Sequence, residues 1–391
     1  MYFVGIDIAK HQHEACIMDD AGALVAKSLR FANNQPGGQK LLAWLGKAIG
    51  DCRDLCIGME STGHYWLALY SFLRREGYGV QVINPIQSDA FRNLYIRQTK
   101  TDTKDAFIIA ELLRFGRYSA AALPEERLFA LKQLCRFRFS VTDTIGDLKR
   151  RAIGLLDMTF PEYETLFADI FGKTSSALLL EYTTPDELTA VDTEKLALFL
   201  ARQSRNRLGM EKALEIQKAA ETTFGVDIAL DAFRLQLRLL IEQIRFAEAH
   251  LALLDEEIET RLAALNTNLI TIPGVGPILA ATMLAEIGDI SRFPTSAKLV
   301  AFAGIDPSVR QSGDFTGTRS HMSKRGSPYL RRALWLAATS ARRYNPPLQE
   351  FYQQKLAEGK HVHTATGAVA RKLTNIVHAM LRDNTVFSLR P

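Results

Sequence analysis

The sequence is poor in the features that mark several protein classes. Among its 391 residues there are four cysteines (Cys16, Cys52, Cys56 and Cys135), scattered and without a Cys-x-x-Cys pair. That spacing gives neither a disulfide framework nor a zinc site, and it reads as reduced thiols of a cytoplasmic protein. No apolar run approaches the ~18 residues that a membrane span needs. Met1 to Lys10 carries no basic segment followed by an apolar stretch, so neither a membrane partner nor a secretory signal is expected. The remaining balance, 47% hydrophobic and 23% charged, is that of a globular chain long enough for two or three cores.

The chain does have positive charge gathered at one end. Residues 301–391 hold 14 basic and 5 acidic side chains, whereas the first 300 hold 34 and 38. A basic C-terminal segment on a mildly acidic remainder suits a polyanion, nucleic acid among others, although basic surfaces are also common without one.

The first 120 residues alternate in a readable way. Short apolar strands are expected at Tyr2 to Ile8, His13 to Met18, Leu24 to Phe31, Leu55 to Met59 and Val80 to Ile83. Asn34 to Gly38 reads as a break, Gln39 to Ile49 and Tyr65 to Glu76 as helices, with a further helix after Thr101. The order βββαβαβ implies a mixed sheet covered by helices. From Pro124 to Phe224 the pattern is helical without evident chemistry. Leu230, Phe233, Leu237, Leu240, Ile244, Ala247, Leu251, Leu254 and Ile258 then recur at alternating spacings of three and four, a heptad seam. Its expected partner is the apolar-striped helix Leu128 to Leu156, as a coiled coil within or between chains. Pro273-Gly274-Val275-Gly276 is a helix-hairpin-helix pattern. Gly274 and Gly276 would let backbone N–H groups approach a phosphate, or simply form a tight turn between packed helices.

Asp7 sits inside an apolar strand, where a carboxylate is costly unless paired or bound to a cation. Glu60 ends another strand, expected beside the first. Asp102 and Asp105 are three apart at the start of a helix, so both can point from one face of its first turn. Such carboxylates brought together need a counter-charge, which one or two Mg²⁺ ions supply; two would lie about 3.5–4 Å apart and serve phosphoryl transfer. The competing readings are an N-cap role for Asp102 and a solvated strand end for Glu60. Arg92, Arg97, Lys100 and Lys104 flank this set and would hold a nucleic-acid backbone or remain solvated. A second constellation gathers Arg310, Ser312-Gly313, Arg319, Lys324-Arg325 and Arg331-Arg332. A serine there is either a turn residue or a nucleophile on a phosphodiester assisted by cations.

Gly5-Ile6-Asp7-Ile8-Ala9-Lys10, Met59-Glu60-Ser61-Thr62-Gly63, Asn84-Pro85 and Lys100 to Ala106 resemble the N-terminal domain of the insertion-sequence-110 transposases and the Piv-type DNA invertases. The Pro-Gly-Val-Gly run, Phe302-Ala303-Gly304, Ser312-Gly313 and Met322 to Gly326 resemble the second domain of that family. The likeness is weak across about 124–225. It implies a RuvC-like, RNase H-type domain over 1–122, a helical and coiled-coil region over 123–265, and a mostly helical transposase domain over 266–391. It further implies Asp7, Glu60, Asp102 and Asp105 as a Mg²⁺-binding tetrad and Ser312 as the nucleophile of a covalent phosphoserine intermediate. Donor and target DNA and a structured bridge RNA are the implied partners, and the heptad rod favours a dimeric or tetrameric assembly. Rival readings are a hydrolytic junction-resolving nuclease and a non-catalytic nucleic-acid-binding protein.

Overall fold

The structure is a computed structural model. It describes all residues except 51–53, 62, 94–100, 117, 119–124, 308–310, 313–314, 317–320 and 389–391. Two compact units result, Met1–Leu123 and Pro124–Pro391.

In the first unit five strands form one sheet: β1 Tyr2–Asp7, β2 Gln12–Met18, β3 Leu29–Ala32, β4 Leu55–Glu60 and β5 Val80–Ile83, in the order β3-β2-β1-β4-β5. β1 runs antiparallel to β2 and parallel to β4, which is parallel to β5, so the sheet is mixed as the sequence suggests. α1 (Gln35–Ile49) and α2 (Trp66–Arg75) pack on one face around Val4, Ile6, Ile17, Ile57 and Met59. α3 (Pro85–Arg92) precedes α4 (Asp102–Phe115), which covers the other face against Phe3, Cys16 and Met18.

Two local expectations need correction. The third strand is shorter than Leu24 to Phe31, because the Asp19 side chain accepts from Ala23 N at 2.8 Å and holds a turn there. Leu24 joins Met18 only through an isolated bridge. Asn34 to Gly38 is not a break but the start of α1. Asn34 Oδ1 caps Gly37 N at 2.9 Å, and a methyl group on Gly37 would lie 1.9 Å from the Ala32 carbonyl. These glycines serve close packing rather than a turn. After β5, Pro85 opens α3, since proline suits a first helical turn.

The second unit is helical. α5 (Glu126–Thr159) is followed by the short helices α6 (Tyr163–Leu166), α7 (Lys173–Glu181), α8 (Pro185–Ala190), α9 (Thr193–Ser204) and α10 (Met210–Glu221), and then by α11 (Leu230–Ala263). α5 and α11 are each 34 residues long, roughly 50 Å. They run antiparallel, with Lys149 bonded to Glu248 at 2.7 Å and Arg138 Nη2 to Asp255 Oδ2 at 3.0 Å. The sequence seam faces α5 of the same chain: Leu237, Ile244 and Ile258 are buried on it, with Leu240, Leu251 and Leu254 half-buried. One end of the pair enters a core made with α6 to α10, through Leu155, Leu156, Leu237 and Ile241. The other end, through Leu131, Cys135, Ile258 and Leu262, enters a core made with α12 (Pro277–Ile287), α13 (Ser296–Ala303), α14 (Pro328–Tyr344), α15 (Pro346–Ala357) and α16 (Val362–Asp383). Between α13 and α14, β6 (Gln311–Ser312) pairs with β7 (Phe315–Thr316) in a hairpin. Among the described residues no helix is long and apolar enough to cross a membrane.

Candidate active site

The pleat of the sheet decides which acidic groups meet. On β1 every second residue, Phe3, Gly5 and Asp7, faces α4; on β4 the alternation puts Cys56, Gly58 and Glu60 there. β1 and β4 pair in parallel with Ile6 opposite Met59, so Asp7 and Glu60 follow side by side at the strand ends. Gly5 permits α4 to lie against β1 almost backbone to backbone. A methyl group there would stand 2.1 Å from Ala106 O and 2.4 Å from Ala110 N. That approach brings the first turn of α4, with Asp102 and Asp105, over the strand ends. Thr101, not Asp102, is the N-cap, its hydroxyl accepting from Lys104 N at 3.4 Å. The capping reading of Asp102 therefore gives way.

The electrostatics agree with this geometry. The Asp7 carboxyl is pushed up to about 7, first by burial, then by the negative charges of Asp105, Glu60 and Asp102. Arg92 of α3 turns inward and donates to Asp105 Oδ1 at 2.9 Å and to Asp89 at the same distance. Arg30 reaches Asp102 at 3.8 Å. No ion pair reaches Asp7 among the described residues. Nor, among them, do three or more carboxylate, imidazole or thiolate groups stand at metal-ligand spacing. The donor set is all oxygen and concentrates negative charge on one half-buried carboxylate, which fits a hard divalent cation.

Sequence reasoning overlooked two residues here. Glu14 of β2 pairs with Asp7 in register and is 8% exposed, and Arg30 of β3 lies across from Glu14. Glu60, Asp7, Glu14 and Arg30 therefore form a charged row across four strands. The signal was available: Glu14 interrupts an apolar strand just as Asp7 does.

Of the expected nucleic-acid-binding residues in the first unit, Lys104 lies in the first turn of α4, while Arg97 and Lys100 lie outside the described residues. In the second unit Ser312 ends β6 opposite Phe315, while Arg310 and Arg319 lie outside the described residues. The base of this hairpin is closed by Pro307 bridging Met322, Ser323 N donating to Asp306 O at 2.9 Å, and the Ser323 hydroxyl on the Asp306 carboxylate. Lys324 is exposed with φ +52°, a conformation that costs a lysine energy, and Arg325 beside it is exposed. Arg331 donates to Ala303 O at 3.4 Å. Arg332 forks onto Asp143 at 2.7 and 2.8 Å and lies over the Phe139 ring at 4.5 Å. Gly274, with φ +94°, serves close packing, since a methyl group there would meet Ala341 N at 2.6 Å; Gly276 is open to solvent at the N-cap of α12.

The mixed sheet with acidic groups gathered at its strand ends does not by itself name a protein class, and comparison with known proteins supplies one. A DEDD-type model described as "Transposase" matches residues 4–161, and one described as "Transposase IS116/IS110/IS902 family" matches residues 266–353. The chain belongs to the IS110 family of transposases. It is 26% identical to an insertion element IS110 protein of Streptomyces coelicolor, over 99% of this chain and 96% of that protein. It is 25% identical to the pilin gene-inverting protein of Moraxella bovis, over 99% of this chain and 98% of that one. A transposase for insertion sequence element IS1328 of Yersinia enterocolitica is 33% identical over 38% of this chain and 44% of its own.

Proposed function

We propose that this chain is a divalent-metal-dependent DNA recombinase that cuts and rejoins strands through a covalent link between Ser312 and DNA. The observation that carries the proposal is the convergence of three negative charges on Asp7 in an oxygen-lined site at the open end of the sheet. The strand order, three antiparallel strands followed by two parallel ones, supports a RuvC-like, RNase H-type reading of this unit. The transposase and gene-inverting relatives support DNA as the substrate.

In this reading Asp7, Glu60, Asp102 and Asp105 hold Mg²⁺. When bound, the ion stabilises charge on the attacking and leaving oxygens of a phosphodiester. Arg92 holds Asp105 in place at 2.9 Å, and Arg30 lies loosely against Asp102 at 3.8 Å. The Ser312 oxygen forms a bond to phosphorus as a bond from phosphorus to a sugar oxygen breaks. The hydroxyl proton leaves the serine, and the departing oxygen takes up a proton. Lys324 and Arg325 at the hairpin base offer positive charge to the phosphate. Sequence choice by a structured RNA follows from the family resemblance rather than from the fold.

Self-association is part of the proposal. On α11 Leu235, Leu239, Phe246 and Leu253 are 46–65% exposed. At ~100° per residue their stripe lies roughly opposite the seam that faces α5. An apolar face at heptad spacing on a long helix suits a second copy of the chain.

The test is to incubate the protein with Mg²⁺ and DNA and look for a denaturation-resistant adduct. Wild type should form one on Ser312, and the S312A variant should form none and recombine nothing. Persistent adduct in S312A removes serine from the mechanism, and cleavage without adduct makes water the nucleophile. Sequencing the RNA that co-purifies should return one abundant folded species; heterogeneous cellular RNA would contradict guidance.

A further inference from the structure

We propose that Glu14 is a positioning residue of this site, acting through Thr103 to hold the first turn of α4, and so Asp102 and Asp105, at the spacing a divalent cation requires; the inference rests on the tetrad reading above. Glu14 is a buried carboxylate, 8% exposed, on β2 directly across from Asp7. Burying a charged group beside a like charge is unfavourable, and a leucine there would pack among Cys16, Met18 and α4 at lower cost. No ion pair to Glu14 exists among the described residues. Its Oε1 instead accepts a hydrogen bond from Thr103 Oγ1 at 3.1 Å. Thr103 lies between Asp102 and Asp105, so this bond fixes the segment that carries half of the tetrad.

No other side-chain bond among the described residues ties Thr103 to the sheet. Arg30, opposite Glu14 on β3, bonds Asp102 only at the loose distance of 3.8 Å. Gly5 lets α4 approach the sheet one turn further along, at Ala106 and Ala110, but does not fix the rotation of the turn before it. The Glu14–Thr103 bond therefore anchors the turn that carries both aspartates to the sheet, while Arg92 separately holds the Asp105 carboxylate at 2.9 Å. Groups that orient metal ligands from behind are commonly worth ~10–100-fold in metal affinity when removed.

The test uses the full chain without DNA and titrates Mn²⁺, followed by calorimetry or by the Mn²⁺ resonance signal. E14A and T103V should each weaken Mn²⁺ binding by ~10-fold or more. The double variant should lose no more than either single one, because both remove one bond. E14Q keeps an oxygen acceptor for Thr103 and should restore binding to within about threefold of wild type. Circular dichroism and the unfolding midpoint should show all four variants folded, with T103S a milder substitute for T103V. Wild-type Mn²⁺ affinity in E14A would overturn the positioning role. A loss in E14Q as large as in E14A would also overturn it, making the charge rather than the hydrogen bond the active feature. A D7N variant that keeps both Mn²⁺ binding and DNA cleavage would instead refute the tetrad reading, so the two failures are distinguishable.

Discussion

Replacing Asp7 with Asn should make the metal-free protein more stable while abolishing strand exchange. In the absence of a cation, Asp7 must ionise while partly buried and beside Asp105, Glu60 and Asp102, and its carboxyl is pushed from 3.8 to about 7. At ~1.4 kcal/mol for each tenfold change in the equilibrium, that displacement corresponds to ~4 kcal/mol. Screening by water at this half-buried site brings the expectation to about 2 kcal/mol. The sign follows from linkage. The folded state holds its proton more tightly than the unfolded chain, so no penalty exists below pH 3.8; it accumulates as the pH rises and is complete above 7. Asn has the same shape and no charge, so it removes the penalty. The assay is urea unfolding in EDTA on a W335F background, where Trp44 and Trp66 alone report on the sheet unit. D7N should exceed the parent by about 2 kcal/mol at pH 8 and match it near pH 3.5. Saturating Mg²⁺ should then raise the parent more than D7N, because a ligand stabilises only the state that binds it. A D7N protein equal to or weaker than its parent at pH 8 in EDTA would refute the argument, as would a gap that persists at acid pH.

Other consequences follow from the same packing and charge. G5A forces a methyl group into the Ala106 and Ala110 backbone; it should cost about 3 kcal/mol or more by overpacking and should reduce Mn²⁺ binding, read by unfolding and titration together. Glu286 is 2% exposed; burial pushes its carboxyl up, but bonds from Arg136 and Ser327 and the charge of Lys132 hold it below the usual carboxylate range. Its stabilising contribution is therefore present above pH 4.5 and lost as pH falls through the depressed folded value, so E286A should cost about 3–5 kcal/mol at pH 7 and flatten the acid limb of the second unit's stability. Exchanging Leu239 and Phe246 for glutamate places charges on the exposed stripe of α11; sedimentation should show a smaller assembly with an unchanged circular dichroism spectrum.

The sheet was legible because its alternation is strong and its turns carry recognisable chemistry. Asp7 stood out for the same reason, as a carboxylate in a run of apolar residues, and the parallel pairing of β1 with β4 follows from element order. The glycines were harder. Gly5 and Gly274 look like interruptions in sequence, yet each answers to the backbone of a helix distant along the chain, which no local pattern reports, and Gly37 answers to the Ala32 carbonyl at the end of the preceding strand. Glu14 carried a local signal, a carboxylate inside an apolar strand, but its place beside Asp7 and Arg30 became visible only with the register of β1, β2 and β3, because a row across strands has no spacing along the chain. Arg92, read from sequence as either a nucleic-acid contact or a solvated charge, also pairs with Asp105, because α3, absent from the sequence reading, places it there. The helix pair was readable in outline; its antiparallel partner in the same chain follows from Arg138–Asp255 and Lys149–Glu248.

The most direct measurement is the anomalous diffraction of Mn²⁺ in crystals of the protein with DNA. A peak should lie within coordinating distance of Asp7 and at least two of Glu60, Asp102 and Asp105, and it should vanish in D7N. Mn²⁺ that supports cleavage while no peak forms between those carboxylates would contradict the account.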